Sequence, residues 1–260
     1  MLLRRVMQHV SGQNWFAVAI DFLIVVVGVY VGIEVSNWNA DRQANERAAG
    51  YLERIAADLE SDRESLAGRM AFWGDVEAYG VSAIRFAESG TLTQDSAWKT
   101  VLAFYQSSQI WPYYAVDTTY TELRSAGELG LIADTELRQQ FAEYYVTGPG
   151  LQANYLLRLV PEYRELVRGM TPWDVSRYIW EHCHINEGVF VQRLIDCEPP
   201  PAYSEDEALS LANRFRADAG LVDALRFWIT NVAVGQGILD QNLAAAESLT
   251  EIVRAELDAL

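Results

Sequence analysis

From Phe16 to Val35 the chain reads FAVAIDFLIVVVGVYVGIEV, an apolar run whose only charged side chains are Asp21 and Glu34. Twenty helical residues at about 1.5 Å rise cover about 30 Å, the thickness of a bilayer's hydrocarbon core. Trp15 precedes the run and Trp38 follows it, where amphipathic rings favour the membrane–water interface. The pattern predicts a transmembrane anchor over residues 15–38. A signal peptide would have a shorter apolar region and a small-x-small cleavage site. This run leaves through Glu34-Val35-Ser36-Asn37-Trp38-Asn39, which has none. A core helix would carry one polar face, and this run is apolar all round. The second apolar stretch, Leu221 to Leu239, is interrupted by Asp223, Arg226, Asn231 and Gln236 and reads as the core helix of a soluble domain.

Beyond the anchor the period becomes that of amphipathic helices. Leu52, Leu59, Leu66 and Trp73 recur every seven residues, with Ile55, Met70 and Ile84 on or beside the complementary seam. This predicts one long stalk helix over 39–88, continuous with the anchor and stopped at Ser89-Gly90-Thr91. Shorter helices are expected over 94–197. Asp117 or Thr118 is placed to cap one that ends at Gly127, and Asp134 to cap the next. Pro149 opens a further helix, with a kink or break at Pro161. Thr171-Pro172 reads as a cap followed by a first-turn proline. Glu198-Pro199-Pro200-Pro201 begins a stiff linker over 198–203. In the C-terminal part, 204–260, Ser204 and Glu207 form a capping box. The last helix carries a seam of Leu221, Leu225, Trp228, Val232, Gly235, Leu239, Leu243, Ala246, Leu249, Val253 and Leu257 and should pack along the stalk. No long strand pattern occurs, so the fold class is all-α.

Composition narrows the possible roles. Half of the 260 residues are hydrophobic and 12% are aromatic, enough for one soluble domain with a real core. The net charge is −16, and Arg4 and Arg5 are the only charged side chains before Asp21. The remainder is therefore more acidic still, and such a surface repels nucleic acid. Arg4 and Arg5 in the short tail 1–14 favour a cytoplasmic N-terminus, against Arg42 and Arg47 on the far side. The expected location is the bacterial inner membrane, with the helical domain outside the cytoplasm.

Two blocks resemble a bacterial family of small single-pass membrane proteins without an assigned activity. One runs from Ala19-Ile20-Asp21-Phe22 to the exit Asn37-Trp38-Asn39. The other is Thr118-Thr119-Tyr120-Thr121-Glu122-Leu123-Arg124-Ser125-Ala126-Gly127-Glu128-Leu129-Gly130-Leu131-Ile132, with Glu136-Leu137-Arg138 and Tyr144-Tyr145 behind it. The likeness covers roughly residues 15–66 and 117–145. It implies an anchor with an acidic residue at its start, a small-xxx-small pair within it, and a helical domain after it. It implies no chemistry and no active-site residues.

Candidate sites follow from the residues. Gly28 and Gly32 form a G-x-x-x-G pair that lets two membrane helices approach closely, although glycine is also common in such helices. Asp21 lies seven residues before Gly28, nearly on the same face. A carboxylate there faces a partner helix or the headgroup level. His182, Cys183 and His184 are metal-ligand types, but their spacing lacks the paired pattern of a zinc site. In an oxidising compartment Cys183 is expected to pair with Cys197 instead. Tyr105, Trp111, Tyr113, Tyr114 and Tyr120 either fill a core or line an apolar pocket.

The leading expectation is a non-enzymatic interaction or scaffold protein. It would bind the lipid bilayer and self-associate, or engage a partner membrane helix, without nucleic acid or cofactor. A sensor with an aromatic-lined pocket acting through a membrane partner, and a metal-dependent enzyme, are the alternatives.

Overall fold

The computed structural model describes residues 15–148, 150–152, 160–187 and 191–259. The basic tail with Arg4 and Arg5, Pro149 and most of the helix expected after it lie outside the described residues. The described chain divides into two units, the first over residues 15–50 and the second from Tyr51 to Ala259.

The fold is all-α. Helix α1 spans Trp15–Ser89 and stops where expected, with Gly90 at φ +77° and its N–H bonded to the Phe86 carbonyl at 2.8 Å. Only glycine adopts that conformation without penalty. In the first unit, the apolar stretch of α1 is long and apolar enough to cross a membrane, by length and composition. None of that stretch is buried within the protein. Phe22, Leu23, Ile24 and Tyr30 all stand exposed.

The second unit is built on α1 from residue 51 onward and the last helix, α8 (Ala219–Ala259). The seven-residue seam of Leu52, Leu59, Leu66 and Trp73 is buried, as are Ile55, Val76 and Phe86. Met70 and Ile84 are half-buried. On α8, Leu221, Leu225, Trp228, Val232, Leu239, Ala246, Leu249 and Val253 are buried. Leu243 and Leu257 are half-buried, and Asn242 takes the buried place that the pattern assigns to Leu243. The two helices run antiparallel. Arg226 pairs with Glu88 at 3.2 Å, Gln236 donates to Glu77, and Arg63 pairs with Glu247 at 3.4 Å. The Trp73 and Trp228 rings meet edge to face at 5.9 Å.

Shorter elements complete the core: α2 (Ala97–Gln106), α3 (Thr118–Ser125), α4 (Thr135–Ala142), α5 (Glu162–Met170), α6 (Trp173–His182) and α7 (Glu205–Ala217). Nearly all of α2 is buried. Its Phe104 ring packs 5.1 Å from Phe215, and the Tyr163 hydroxyl donates to the Phe104 carbonyl at 2.6 Å. Phe86 of α1 closes the same cluster, edge to face with Phe104 at 6.3 Å.

The helix starts test the capping expectations individually. Asp134 accepts from the Glu136 N–H, and Ser204 and Glu207 form the reciprocal capping box. Asp117 does not cap α3 with its side chain. Asp58 of α1 does so instead, its Oδ2 accepting from the Thr119 N–H at 3.1 Å, so an orphan first-turn donor is satisfied from another element. Pro172, not Thr171, is the capping position of α6, and the Thr171 hydroxyl bonds back to the Val167 carbonyl at 2.7 Å. The stretch expected to hold only helices also contains a short antiparallel hairpin, β1 (His184–Asn186) with β2 (Gln192–Leu194). Three-residue strands are too short for an alternating pattern to register.

Candidate functional site

In the first unit, Asp21, Gly28 and Gly32 are exposed on one continuous helix. At 100° per residue, steps of seven and eleven place all three within about 20° of one line along the helix. A Cβ added at Gly28 or Gly32 meets nothing within 4 Å. At both glycines the face is therefore unoccupied by any other described part of the chain.

The second unit holds a buried polar cluster centred on Asp62. Asp62 lies on α1 one turn beyond Asp58 and is wholly buried. Its Oδ1 accepts from the Val116 N–H at 2.7 Å, and its Oδ2 accepts from the Tyr144 hydroxyl at 3.0 Å. The Tyr113 and Tyr144 hydroxyls are 3.3 Å apart. Burial pushes the Asp62 carboxyl up to about 6, despite the hydrogen bonds that stabilise its charge. Burial also raises the phenols of Tyr113, Tyr144 and Tyr145 above their ordinary range.

Tyr144 and Tyr145 belong to a wide helical turn, Glu143–Thr147, in which each hydrogen bond spans five residues. One extra residue per turn is tolerated rarely and is frequent at functional sites. The turn sets the two rings at right angles, 4.9 Å apart, and Tyr145 stacks on Tyr120 at 4.8 Å.

Beside this cluster opens a cleft of about 380 Å³ lined by Tyr113, Tyr114, Asp117, Tyr145, Gly150 and Asn242, among others. Asn242 is 1% exposed and its Oδ1 accepts from the Gly150 N–H at 3.0 Å. Its Nδ2 is buried and makes no close hydrogen bond, only a loose contact with the Tyr113 hydroxyl, and the Tyr145 hydroxyl has no partner among the described residues. Gly150 keeps the cleft open, because a Cβ there would lie 2.8 Å from Tyr113 Cε1 and 3.0 Å from Asn242 Nδ2.

The aromatic residues singled out in the sequence separate into two groups. Tyr113 and Tyr114 line the cleft. Tyr105, Trp111 and Tyr120 are buried in the core and do not line it. They do not form one apolar pocket, because Trp111 is stacked under the Arg69 guanidinium at 4.4 Å and Tyr105 under that of Arg168 at 4.8 Å.

The histidines and cysteines are engaged elsewhere. Cys183 and Cys197 are joined in a disulfide, with Cα atoms 5.1 Å apart. His182 stacks on Tyr178 at 4.2 Å, and His184 meets Trp180 edge-on at 4.5 Å. No group of three or more His, Cys, Asp or Glu residues among the described residues is placed to hold a metal ion.

The residues that sequence reasoning missed are Asp62, Tyr144, Tyr145 and Asn242. A signal existed for two of them. Asp62 falls three residues after Leu59 and four before Leu66, and Asn242 three after Leu239 and four before Ala246. Each is a polar residue inside an apolar stripe, the pattern of a buried polar group. No family model, no curated protein and no solved structure matches this chain.

Proposed function

We propose that this chain is a single-pass membrane-anchored interaction protein of the bacterial envelope that self-associates through its membrane helix. The observation that carries the reading is the alignment of Asp21, Gly28 and Gly32 on one exposed face of an otherwise apolar helix. Two glycines four apart let helix backbones approach closely, and a carboxylate within the span gains from an interhelical partner. The resemblance to the single-pass family over residues 15–66 and 117–145 fits the same reading. In the proposed topology the N-terminus is cytoplasmic and the helical domain lies in the oxidising space outside. The Cys183–Cys197 pair supports that side, since disulfides persist where thiols are not kept reduced. The acidic surface argues against nucleic acid as a partner.

The experiment is cross-linking of the full chain in detergent and in native membranes. Gly28→Ile, Gly32→Ile and Asp21→Ala are each expected to shift the population from dimer to monomer. Dimer retained in all three variants overturns the reading. Cysteine-accessibility labelling on either side of residues 15–38 tests the topology separately.

A further inference from the structure

We propose that the tyrosine cleft of the second unit is a binding site for a small organic ammonium ion carrying a hydroxyl or carbonyl acceptor. This goes beyond association in the membrane and does not rest on it. Two polar groups in the cleft wall are left incompletely satisfied by the fold. The Tyr145 hydroxyl is a buried donor and acceptor without a partner among the described residues, and Asn242 Nδ2 is a buried donor that makes no close hydrogen bond, only a loose contact with the Tyr113 hydroxyl. A buried polar group left unpaired costs stability, and native structures retain few of them. An acceptor atom on a ligand would satisfy Asn242 Nδ2, and a hydroxyl would also serve Tyr145.

The rest of the lining selects for positive charge. Asp117 is the one ionisable carboxylate among the described lining residues, and no described basic side chain lines the cleft. Asp62 and Asp58 lie behind the wall on α1, engaged with Val116 and Thr119. Four tyrosines, Tyr113, Tyr114, Tyr144 and Tyr145, supply ring faces and edges around the space. The faces of aromatic rings attract cations, and enclosure by several rings with a carboxylate nearby recognises ammonium groups. The volume, about 380 Å³, falls within the range of small-ligand sites. Gly150 is required for the space, since a side chain at that position would occupy it.

The nearest alternative is a cleft filled only by water, which would bridge Asn242 and Tyr145 and bind no cation. Calorimetric titration of the full chain in maltoside micelles separates the two. Three probes suffice: choline, its neutral carbon isostere 3,3-dimethylbutan-1-ol, and tetramethylammonium. Choline is expected to bind saturably, about tenfold more tightly than the neutral isostere and about fivefold more tightly than tetramethylammonium. Tyr145→Phe removes a hydroxyl the fold does not use and should leave the melting temperature unchanged while weakening choline about fivefold. Asp117→Asn should weaken it similarly, and Gly150→Ala should abolish binding. No saturable heat with choline, equal binding of the neutral isostere, or unchanged affinity in Tyr145→Phe and Asp117→Asn overturns the proposal.

Discussion

The Tyr144 hydroxyl donates a 3.0 Å hydrogen bond to Asp62 across 82 positions of sequence. It ties the wide turn Glu143–Thr147 to the core face of α1. The same carboxylate holds the Val116 N–H, so one buried group fixes two segments that border the tyrosine cleft. A carboxylate in this position is costly to ionise, because burial removes its water and its partners restore only part of the loss.

Asp62 therefore predicts a pH dependence. Its folded-state value is raised to about 6 from an ordinary 3.8, so the folded protein binds the proton more tightly than the unfolded chain. The stability this contributes is fully present below about pH 4 and is lost as the pH rises through about 6. The loss is of the order of 2–3 kcal/mol. Of the groups that face Asp62, the Asp58 charge adds to the rise, whereas the hydrogen bonds of Tyr144 and Tyr113 and the Arg69 charge on the same helix oppose it. Asp62→Asn keeps an acceptor for Val116 and cannot ionise. Urea unfolding between pH 4 and pH 7 should show the wild type losing stability relative to Asp62→Asn as the pH rises. Parallel profiles for the two proteins would contradict the assignment.

How much of this was legible in the sequence depended on periodicity. The buried seam of Leu52, Leu59, Leu66 and Trp73 and that of α8 recur at helical spacing, so their elements and their core faces could be read directly. The capping of α3 by Asp58 could not, because it joins positions 61 apart and leaves no local pattern. The wide turn at Glu143–Thr147 is equally silent, since its residues suit an ordinary helix. The aromatic stretch was visible as composition, but composition does not say which rings face a cavity. Tyr113 lines the cleft, while Trp111, two residues earlier, lies against Arg69.

Reduction of the disulfide should destabilise the second unit without unfolding α1 or α8. The bridge closes a loop with a sequence separation of 14, and loops of that size are worth about 3 kcal/mol through the unfolded state. It also fixes two carbonyls that the core uses. The Cys183 carbonyl accepts from Gln106 at 2.7 Å, and that of Cys197 accepts from Trp98 at 2.9 Å. Cys183→Ala/Cys197→Ala is expected to lower the urea midpoint with far-ultraviolet helicity retained. Reductant should have no further effect on the double variant.

Arg69 is 3% exposed, and its guanidinium makes no described ion pair closer than 4 Å. It donates to the Pro112 carbonyl at 2.9 Å and to the Ser65 carbonyl at 3.2 Å while stacking over Trp111 at 4.4 Å. A planar fork satisfies two directions and a ring face together, which an ammonium cannot. Arg69→Lys should therefore behave as a disruptive change and cost about 2–3 kcal/mol. A loss below about 0.5 kcal/mol would show that the stack and the Pro112 bond contribute little.

Two glycines in long helices should respond to alanine with opposite signs. Gly237 lies in the interior of α8 with nothing within 4 Å of an added Cβ, so Gly237→Ala gains about 0.5–1 kcal/mol from helix propensity alone. Gly80 of α1 faces α8, where an added Cβ would collide with Cδ1 and Cγ1 of Ile229. Ile229 is itself buried, so it has little room to withdraw. Overpacking of this kind costs about 1–3 kcal/mol and outweighs the propensity gain, so Gly80→Ala should destabilise. The cause can be isolated with Ile229→Ala. That substitution should be destabilising beside Gly80 and much less so beside Ala at position 80, because it removes the atoms in collision. Additive effects in this double-mutant cycle would mean that the close approach of α1 and α8 at Gly80 does not set the cost.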